Sequence, residues 1–362
     1  MKLLHCGDFH LDAKMETGLD STRARERRVE LLLTFSRTLE MAAELGCRAV
    51  LLAGDLFDTS RASEKTRRYV GEAIASHPEL LFLSVAGNHD GELCPLFPND
   101  TVPDHYHAFP ADAWASVSLG EGVVVSGTAG IDRAGLLQAV PAVAPNEFHI
   151  VLLHGQLTRS AEMGESRIPL RLLQNRGIDH LALGHEHSFR CEALDTHGLW
   201  CYAGCPEGRG FDECGQKGCA LIDTDKPLEN RVQFIPLAKR TLHEIRVALD
   251  GCTSFGEIMG RVELALNAIP DEDMVKLVLC GEVSPELNCD TLYLQTVLKD
   301  RFYFSRIKQQ TTLLLRPEDY QNDISLKGEF IRTVLASTLS DEQKQQIILC
   351  GLRALRGEEV DA

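Results

Sequence analysis

The chain has 362 residues, 44% of them hydrophobic and 25% charged, with a formal net charge of −16. That length exceeds one ordinary core and predicts two or three domains; the composition excludes wholesale disorder, and no apolar run is long enough to span a bilayer. The acidic balance argues against indiscriminate binding of polyanions, and an opening Met1-Lys2-Leu3-Leu4 that leads into a charged segment, not a signal-like one, sets a cytoplasmic location as the expectation.

Residues 2–7 predict a first strand. Thr22 to Gly46 carries Val29, Leu32, Leu33, Leu39 and Ala43 at close to helical spacing, with Ser36 as a lapse, and Gly46 closes that helix. Arg48–Ala53 is a buried-strand run, Ser63–Ser76 a helix and Leu80–Ala86 a further buried strand. This βαβαβ alternation predicts a parallel sheet with helices on its faces and chemistry just beyond the carboxyl ends of its strands. Basic residues gather at Arg23, Arg25, Arg27 and Arg28 and again at Lys65, Arg67 and Arg68, which solvated helix faces explain. The segment 91–113, rich in proline, aspartate and histidine, is long for a connection and predicts a lid or a substrate-facing loop; its His105 and His107 read as surface residues, not ligands.

From about Ala115 the texture changes to short strands with glycine turns: Ser116–Leu119, Val123–Ser126, Phe148–Leu153, His180–Leu183, Leu199–Ala203, Cys219–Asp223 and Val232–Pro236. A second, mixed sheet is expected from them. Leu237–Thr241 is a boundary that closes a first domain, 1–240. Glu244–Leu249, Phe255–Asn267, Val275–Cys280, Thr291–Leu298 and Phe302–Lys308 then give a small α+β module over 241–316. Two helices, Leu326–Ser337 and Asp341–Leu355, fill 317–362, the second opened by a capping box of Ser340 and Gln343. With Ile347, Ile348, Cys350, Leu352 and Leu355 beside the small Gly351, this pair is expected to dock on the body or on a partner. The twelve cysteines are scattered through apolar runs and read as reduced, mostly buried thiols; Cys201, Cys205, Cys214 and Cys219 lack the paired spacings of a zinc ribbon.

Five short blocks carry the chemistry: Asp8-Phe9-His10, Gly54-Asp55, Gly87-Asn88-His89-Asp90, His154-Gly155 and Gly184-His185-Glu186-His187, each just after a strand-like run. Together they offer enough oxygen and nitrogen ligands for two metal ions, as hydrolysis of a phosphate ester requires when two cations hold both the attacking oxygen and the charged phosphoryl oxygens. Asp8 and His10, two apart at a strand end, point to the same side and can chelate one ion. Asp55 is placed to bridge, because a carboxylate has two oxygens. The first ion then takes Asp8, His10, Asp55 and His187, and the second Asp55, Asn88, His154 and His185. Gly54, Gly87 and Gly184 allow tight turns and close backbone approach. His89 is free to stabilise transition-state charge or to protonate a leaving oxygen. Asp90 either orients that imidazole or caps the turn, and Asp58 either steadies a ligand or does the same.

These blocks resemble those of the calcineurin-like metallophosphoesterase superfamily, which implies a four-layer αββα sandwich of two mixed sheets around a two-metal centre. Gly54-Asp55-Leu56-Phe57-Asp58, Gly87-Asn88-His89-Asp90, and Ala203 to Phe211 with Lys217-Gly218 resemble the SbcD-type DNA repair exonucleases within it. The tail around Asp323 to Phe330 is more similar to the YhaO branch. The resemblance implies that 1–240 is catalytic and 241–316 a capping module, that the cofactors are two divalent ions, manganese above iron or zinc, and that His89 is the transition-state histidine. It further implies DNA as substrate and an SMC-like ATPase as partner, and it leaves a homodimer open. Two positions depart from the pattern: Cys205 replaces a common serine or threonine, and Asp58 stands where some relatives carry histidine, which leaves exonuclease or endonuclease action open. Two rivals stay in view. One is a phosphodiesterase or phosphatase for small phosphate esters, favoured by the acidic charge; the other is a non-catalytic scaffold, against which stands a complete ligand set.

Overall fold

A computed structural model describes residues 1–15, 18–90, 96–97, 102–131, 134–160, 166–285, 287–314 and 317–355. The chain divides into two compact units, Met1–Thr241 and Leu242–Ala362.

In the first unit β1 (Lys2–Cys6), α1 (Ser21–Glu44), β2 (Ala49–Leu52), α2 (Glu64–Ala75) and β3 (Leu81–Ser84) form the expected alternation, followed by β4 (Tyr106–Ala108). The Asp20 carboxylate accepts the Thr22 and Arg23 amides to cap α1, and the Ser63 hydroxyl accepts the Thr66 amide to cap α2. Next come β5 (Ala115–Gly120), β6 (Val123–Gly127), α3 (Ala134–Gln138), β7 (Phe148–His154), β8 (Gln156–Thr158), β9 (Arg167–Pro169) and β10 (His180–Gly184). The unit ends with β11 (Arg190–Ala193), β12 (Leu199–Tyr202), β13 (Gly218–Asp223) and β14 (Val232–Pro236).

Two six-stranded mixed sheets result, in the orders β14-β13-β1-β2-β3-β4 and β11-β12-β10-β7-β6-β5, with β8 and β9 as a separate ribbon. The expectation that all strands after Ala115 build the second sheet is corrected here: β13 and β14 return to the first, where β13 pairs antiparallel with β1 and covers what would otherwise be an open edge. Residue parity sorts the layers. Leu3, Ala49, Leu51 and Leu83 face the second sheet and meet Ile150, Leu152 and Ala182, whereas Leu4, Val50, Leu52 and Phe82 face α1 and α2. The outer face of the second sheet is covered more thinly, by Leu137 of α3 and by Ile168, Leu173 and Ile178. Gly184 marks a close approach of the sheets: a Cβ there would lie 1.9 Å from the Ala53 carbonyl oxygen.

The first helix buries a different face from the one its apolar spacing predicts. Val29 and Leu33 are each 49% exposed, while Arg27, Glu30 and Thr34 are buried. These polar groups pair with one another and with the loop beyond β12. Arg27 pairs with Glu30 and Glu207 and donates to the Gly208 carbonyl, Thr34 donates to Glu207, and Arg240 pairs with Glu30. The basic cluster on this helix is therefore not a uniformly solvated face. Of the predicted loop 91–113, residues 91–95 and 98–101 lie outside the described residues. Its described part contains β4, and His105 Nε2 donates to the Ile74 carbonyl oxygen at 3.1 Å.

The second unit contains β15 (Leu242–Ala248), α4 (Phe255–Leu266), β16 (Met274–Val283), α5 (Thr291–Arg301) and β17 (Phe304–Leu313). The three strands make a wholly parallel sheet with β16 at its centre. After α6 (Pro317–Tyr320), helices α7 (Leu326–Leu335) and α8 (Asp341–Leu355) follow. Ile331, Val334, Ile348 and Leu352 of this pair share one apolar core with Val275, Leu277, Leu279 and Leu294, so the described helices of 317–362 belong to the same unit as the small sheet. The capping box forms at α8: the Ser340 amide donates to Gln343 Oε1 at 3.1 Å and the Gln343 amide donates to Ser340 Oγ at 3.3 Å.

Candidate metal centre

Five strands deliver the site. Asp8 and His10 follow β1, Asp55 follows β2, Asn88 and His89 follow β3, His154 ends β7, and His185 and His187 follow β10. Since β1, β2 and β3 run parallel in one sheet, and β7 and β10 in the other, all five carboxyl ends emerge at the same end of the sandwich.

The structure brings the seven predicted ligand residues together. Ligand atoms of Asp8, His10 and His187 lie within 4.8 Å of one another, as do those of Asp8, Asp55 and His154. His10 Nε2 is 3.7 Å and His154 Nε2 3.4 Å from Asp55 Oδ2, so Asp55 stands between two groups of imidazoles. Asn88 Oδ1 is 2.9 Å from His154 Nε2 and 3.2 Å from His185 Nδ1. The main chain contributes too: both Asp8 oxygens accept the His185 amide, at 2.9 and 3.0 Å, and Asp55 Oδ1 accepts the His89 amide at 2.8 Å. Asp8, His10, Asp55 and His185 all have positive φ, at 52°, 45°, 47° and 102°. Left-handed backbone at non-glycine residues costs about 1–3 kcal/mol each and persists where the surrounding fold over-determines it.

The donor set fits divalent cations. His154 Nδ1 donates to the Ala53 carbonyl oxygen at 2.8 Å, which turns Nε2 toward Asp55. His187 Nδ1 is held by Glu213 at 2.7 Å, and its Nε2 faces His10 Nε2 at 3.2 Å. Imidazoles whose outer nitrogen is held by a carbonyl or carboxylate, with the inner one aimed at a shared point, are arranged as metal ligands are. The electrostatics agree. Burial raises the Asp8 carboxyl to about 7. Burial also opposes charge on His154, but its hydrogen bond to Asp55 and the Asp8 charge outweigh this and raise it to about 9. Asp55 is pulled down to about 2, against its burial, by His154. In the ion-free protein, protons thus occupy part of the place cationic charge takes in a loaded centre.

His89 lies on the exposed rim, its ring centroid 4.9 Å from that of His10. Its Nδ1 donates to the Asp58 carbonyl oxygen at 2.9 Å. The expectation that Asp90 orients this imidazole is corrected: Asp90 Oδ1 accepts the Phe57 amide and Oδ2 the Gly87 amide, both at 2.9 Å, so the carboxylate braces the two loops, as the turn-capping alternative holds. Asp58 Oδ1 lies 3.3 Å from His10 Nδ1 and 3.0 Å from Arg209 Nη1.

Glu213 has no counterpart among the predicted residues. Besides His187 it receives Arg209, whose Nη2 is 2.6 Å from Glu213 Oε1, and these hydrogen bonds hold its carboxyl well below the usual range despite burial. Arg209 joins Glu213 to Asp58, and so links the groups behind His187 and His10. Lys217 Nζ donates to the His187 carbonyl oxygen at 2.7 Å, and the buried Cys205 thiol lies 3.5 Å from the same oxygen. The motif Ala203 to Phe211 with Lys217-Gly218 contains Cys205, Arg209 and Lys217 of this support, whereas Glu213 lies between its two parts and outside both. Cys201, Cys205, Cys214 and Cys219 form no common ligand group among the described residues.

The profile of calcineurin-like phosphoesterases matches residues 1–189. The chain belongs to that family. Its members hydrolyse phosphate esters with divalent metal ions, and the groups gathered here are candidates for holding such ions. The chain is 27% identical over 355 residues to the DNA double-strand break repair protein Mre11 of Sulfolobus acidocaldarius, covering 94% of this chain and 87% of that protein. It is also 27% identical over 240 residues to the uncharacterized metallophosphoesterase YhaO of Bacillus subtilis, covering 61% of this chain and 57% of that one. Among solved structures, TT1561 of Thermus thermophilus is similar at 12% identity with a TM-score of 0.41, over 65% of this chain and 98% of that one. A dimetal phosphatase from Danio rerio is similar at 11% identity and 0.39, over 61% and 91%.

A calcineurin-like centre of this composition should couple metal binding to proton release. His154 must lose a proton that it holds below about 9, and Asp8 one that it holds below about 7, so affinity for a divalent ion rises with pH up to about 9. Calorimetric titration in buffers of different ionisation enthalpy reads this directly, and an affinity independent of pH between about 6 and 9 contradicts it. Glu213→Ala is expected to weaken metal binding roughly 10–100-fold by releasing the His187 ring; an unchanged affinity in the folded variant would show that Glu213 does not position the ligand.

Proposed function

We propose that the chain is a two-cation phosphodiesterase that cuts DNA, a repair nuclease using manganese. The observation that carries the proposal is the convergence of two carboxylates, one amide and four imidazoles at five strand ends, with His89 on the open rim. Asp8, His10, Asp55 and His187 would hold one cation, and Asp55, Asn88, His154 and His185 the other. When bound, such a pair activates water and neutralises the phosphoryl oxygens.

The protein's own groups do the remainder. The Asp58 carbonyl fixes the His89 tautomer with the proton on Nδ1, so Nε2 is the atom that can accept a proton from solvent, pass it to the leaving oxygen and, while charged, stabilise the transition state. Arg209, Glu213 and Asp58 hold the rings of His187 and His10 in place. Nitrogen and oxygen donors suit manganese, iron or zinc, so manganese rests on the resemblance to SbcD-type nucleases.

DNA as substrate is supported by the repair protein of Sulfolobus acidocaldarius, aligned over 94% of this chain and so across both units. The net charge of −16 favours the second reading, a phosphodiesterase or phosphatase for small esters. A panel of single- and double-stranded DNA, RNA and a chromogenic diester, with manganese restored after chelation, separates the two. Asp55→Ala is expected to lose metal and activity together, whereas His89→Ala should keep metal and lose about 10²–10⁴-fold in turnover. Variants that degrade DNA like the parent would show the centre to be misplaced.

The nuclease reading extends to a cytoplasmic complex with an SMC-like ATPase, for which α8 offers Ile347 and Cys350, three residues apart on one exposed side of the helix. Truncation would not test this, because Ile348 and Leu352 belong to the core of the unit. Replacing Ile347 and Cys350 by glutamate is expected to weaken capture of the ATPase about tenfold or more. Undiminished capture by the folded double variant would remove this helix from the interface.

A further inference from the structure

A second group of ligand-type side chains lies between the sheets and has no part in the chemistry above. His5 of β1, His180 of β10 and Cys201 of β12 each offer an atom within 4.8 Å of the other two, and all three are shut off from solvent. The group spans the layers of the sandwich, one residue on the first sheet and two on the second. The rings of His5 and His180 meet edge to face with centroids 6.1 Å apart.

Their hydrogen bonding is incomplete in a particular way. His5 Nε2 lies 3.2 Å from the Leu183 carbonyl oxygen and therefore donates its proton there. This leaves Nδ1 as a lone pair, with no partner among the described residues. Neither ring nitrogen of His180 has one. Buried polar groups are nearly always paired, and an orphan of this kind points to a water or an ion. The tautomer of His5 favours the ion, since an outer N–H fixed by a backbone carbonyl is how protein imidazoles are oriented toward metals. The Cys201 thiol makes a weak contact, 3.6 Å to the Tyr202 carbonyl oxygen. Directly opposite it in the β11–β12 register stands Cys191, whose thiol interacts with that of Cys201.

We propose that His5, His180 and Cys201 form a structural metal site, separate from the proposed two-cation centre, that holds one zinc-like ion and ties the two sheets together. Two imidazole nitrogens and sulfur are a zinc-type donor set, whereas manganese prefers oxygen. Burial lowers the His5 pKa to about 4 and that of His180 far down as well, so both rings already have the neutral form a ligand needs. The thiol hydrogen bond with Cys191, followed by burial, keeps the Cys201 proton in place until a cation displaces it. Loading therefore forms a metal–sulfur bond and releases the Cys201 thiol proton to solvent, with no change of oxidation state.

Sulfur separates this site from the other, because none of the seven residues at the strand ends contains it. The protein is treated with EDTA and its residual metal measured by mass spectrometry, and a second sample is produced in zinc-depleted medium supplied with cobalt(II), so that cobalt fills the site in place of zinc. The expected result is about one zinc per chain that resists EDTA, with a thiolate-to-cobalt charge-transfer band in the loaded protein. Cys201→Ser and His180→Phe should each lose that ion and the band while keeping the manganese bound elsewhere. Cobalt-loaded parent protein without the sulfur band overturns the proposal, and this reading needs no variant to fold. So does the parent's full metal count in Cys201→Ser, or a disulfide between Cys191 and Cys201 in protein purified under reducing conditions.

Discussion

Two buried carboxylates that need positive charge organise the rest of the first unit. Asp8 and Asp55 sit at the ends of neighbouring strands, 1% and 2% exposed. Burial of like charges side by side is unfavourable unless protons or cations compensate them. Without ions the compensation is uneven: Asp55 keeps its charge beside a protonated His154, and Asp8 is pushed toward its neutral form. The imidazoles that share this charge are held in turn by backbone carbonyls and by Glu213, so the site reaches outward through Arg209 to Asp58. A fold that maintains such a pocket does so at the expense of its own stability, as expected where stability is traded for chemistry.

The sandwich makes that concentration possible. Each ligand lies at the end of a strand or within a few residues of it, and two sheets in contact bring five such ends within one site. The contact is close because Gly184 lets β10 pass the end of β2 without a side chain between them. Behind the site, the loop from Cys205 to Glu213 is anchored twice, by Glu207 to the buried arginine of α1 and by Glu213 to His187. The polar face of α1 thus stabilises a loop that supports a ligand, a link between helix packing and site geometry.

Much of this was legible in the sequence, and the exceptions share a physical origin. Acids, an amide and histidines just after runs such as Val50–Ala53 are conspicuous because a strand end is a local pattern. The strands themselves and the capping box at Ser340 are equally local. What could not be read depends on partners remote in sequence. Helix α1 buries Arg27 and Glu30 and leaves Val29 outside because charges on other segments meet them, which apolar periodicity does not register. β13 joins the first sheet because β1 has a free side, a fact about assembled strands. Glu213 belongs to no motif, and only the fold brings it to His187. Asp90 looked like a partner for its neighbour His89 but was turned to backbone amides of two loops.

The positive φ values at Asp8, His10, Asp55 and His185 have an implication for how ions enter and leave. Backbone in this region is fixed by the surrounding strands and by the amide of His185 on Asp8, so side chains are presented from a preset mould, not from loops that gather around a guest. Ion exchange should then proceed as simple filling and emptying, without the slow phase of a segment that must first order itself.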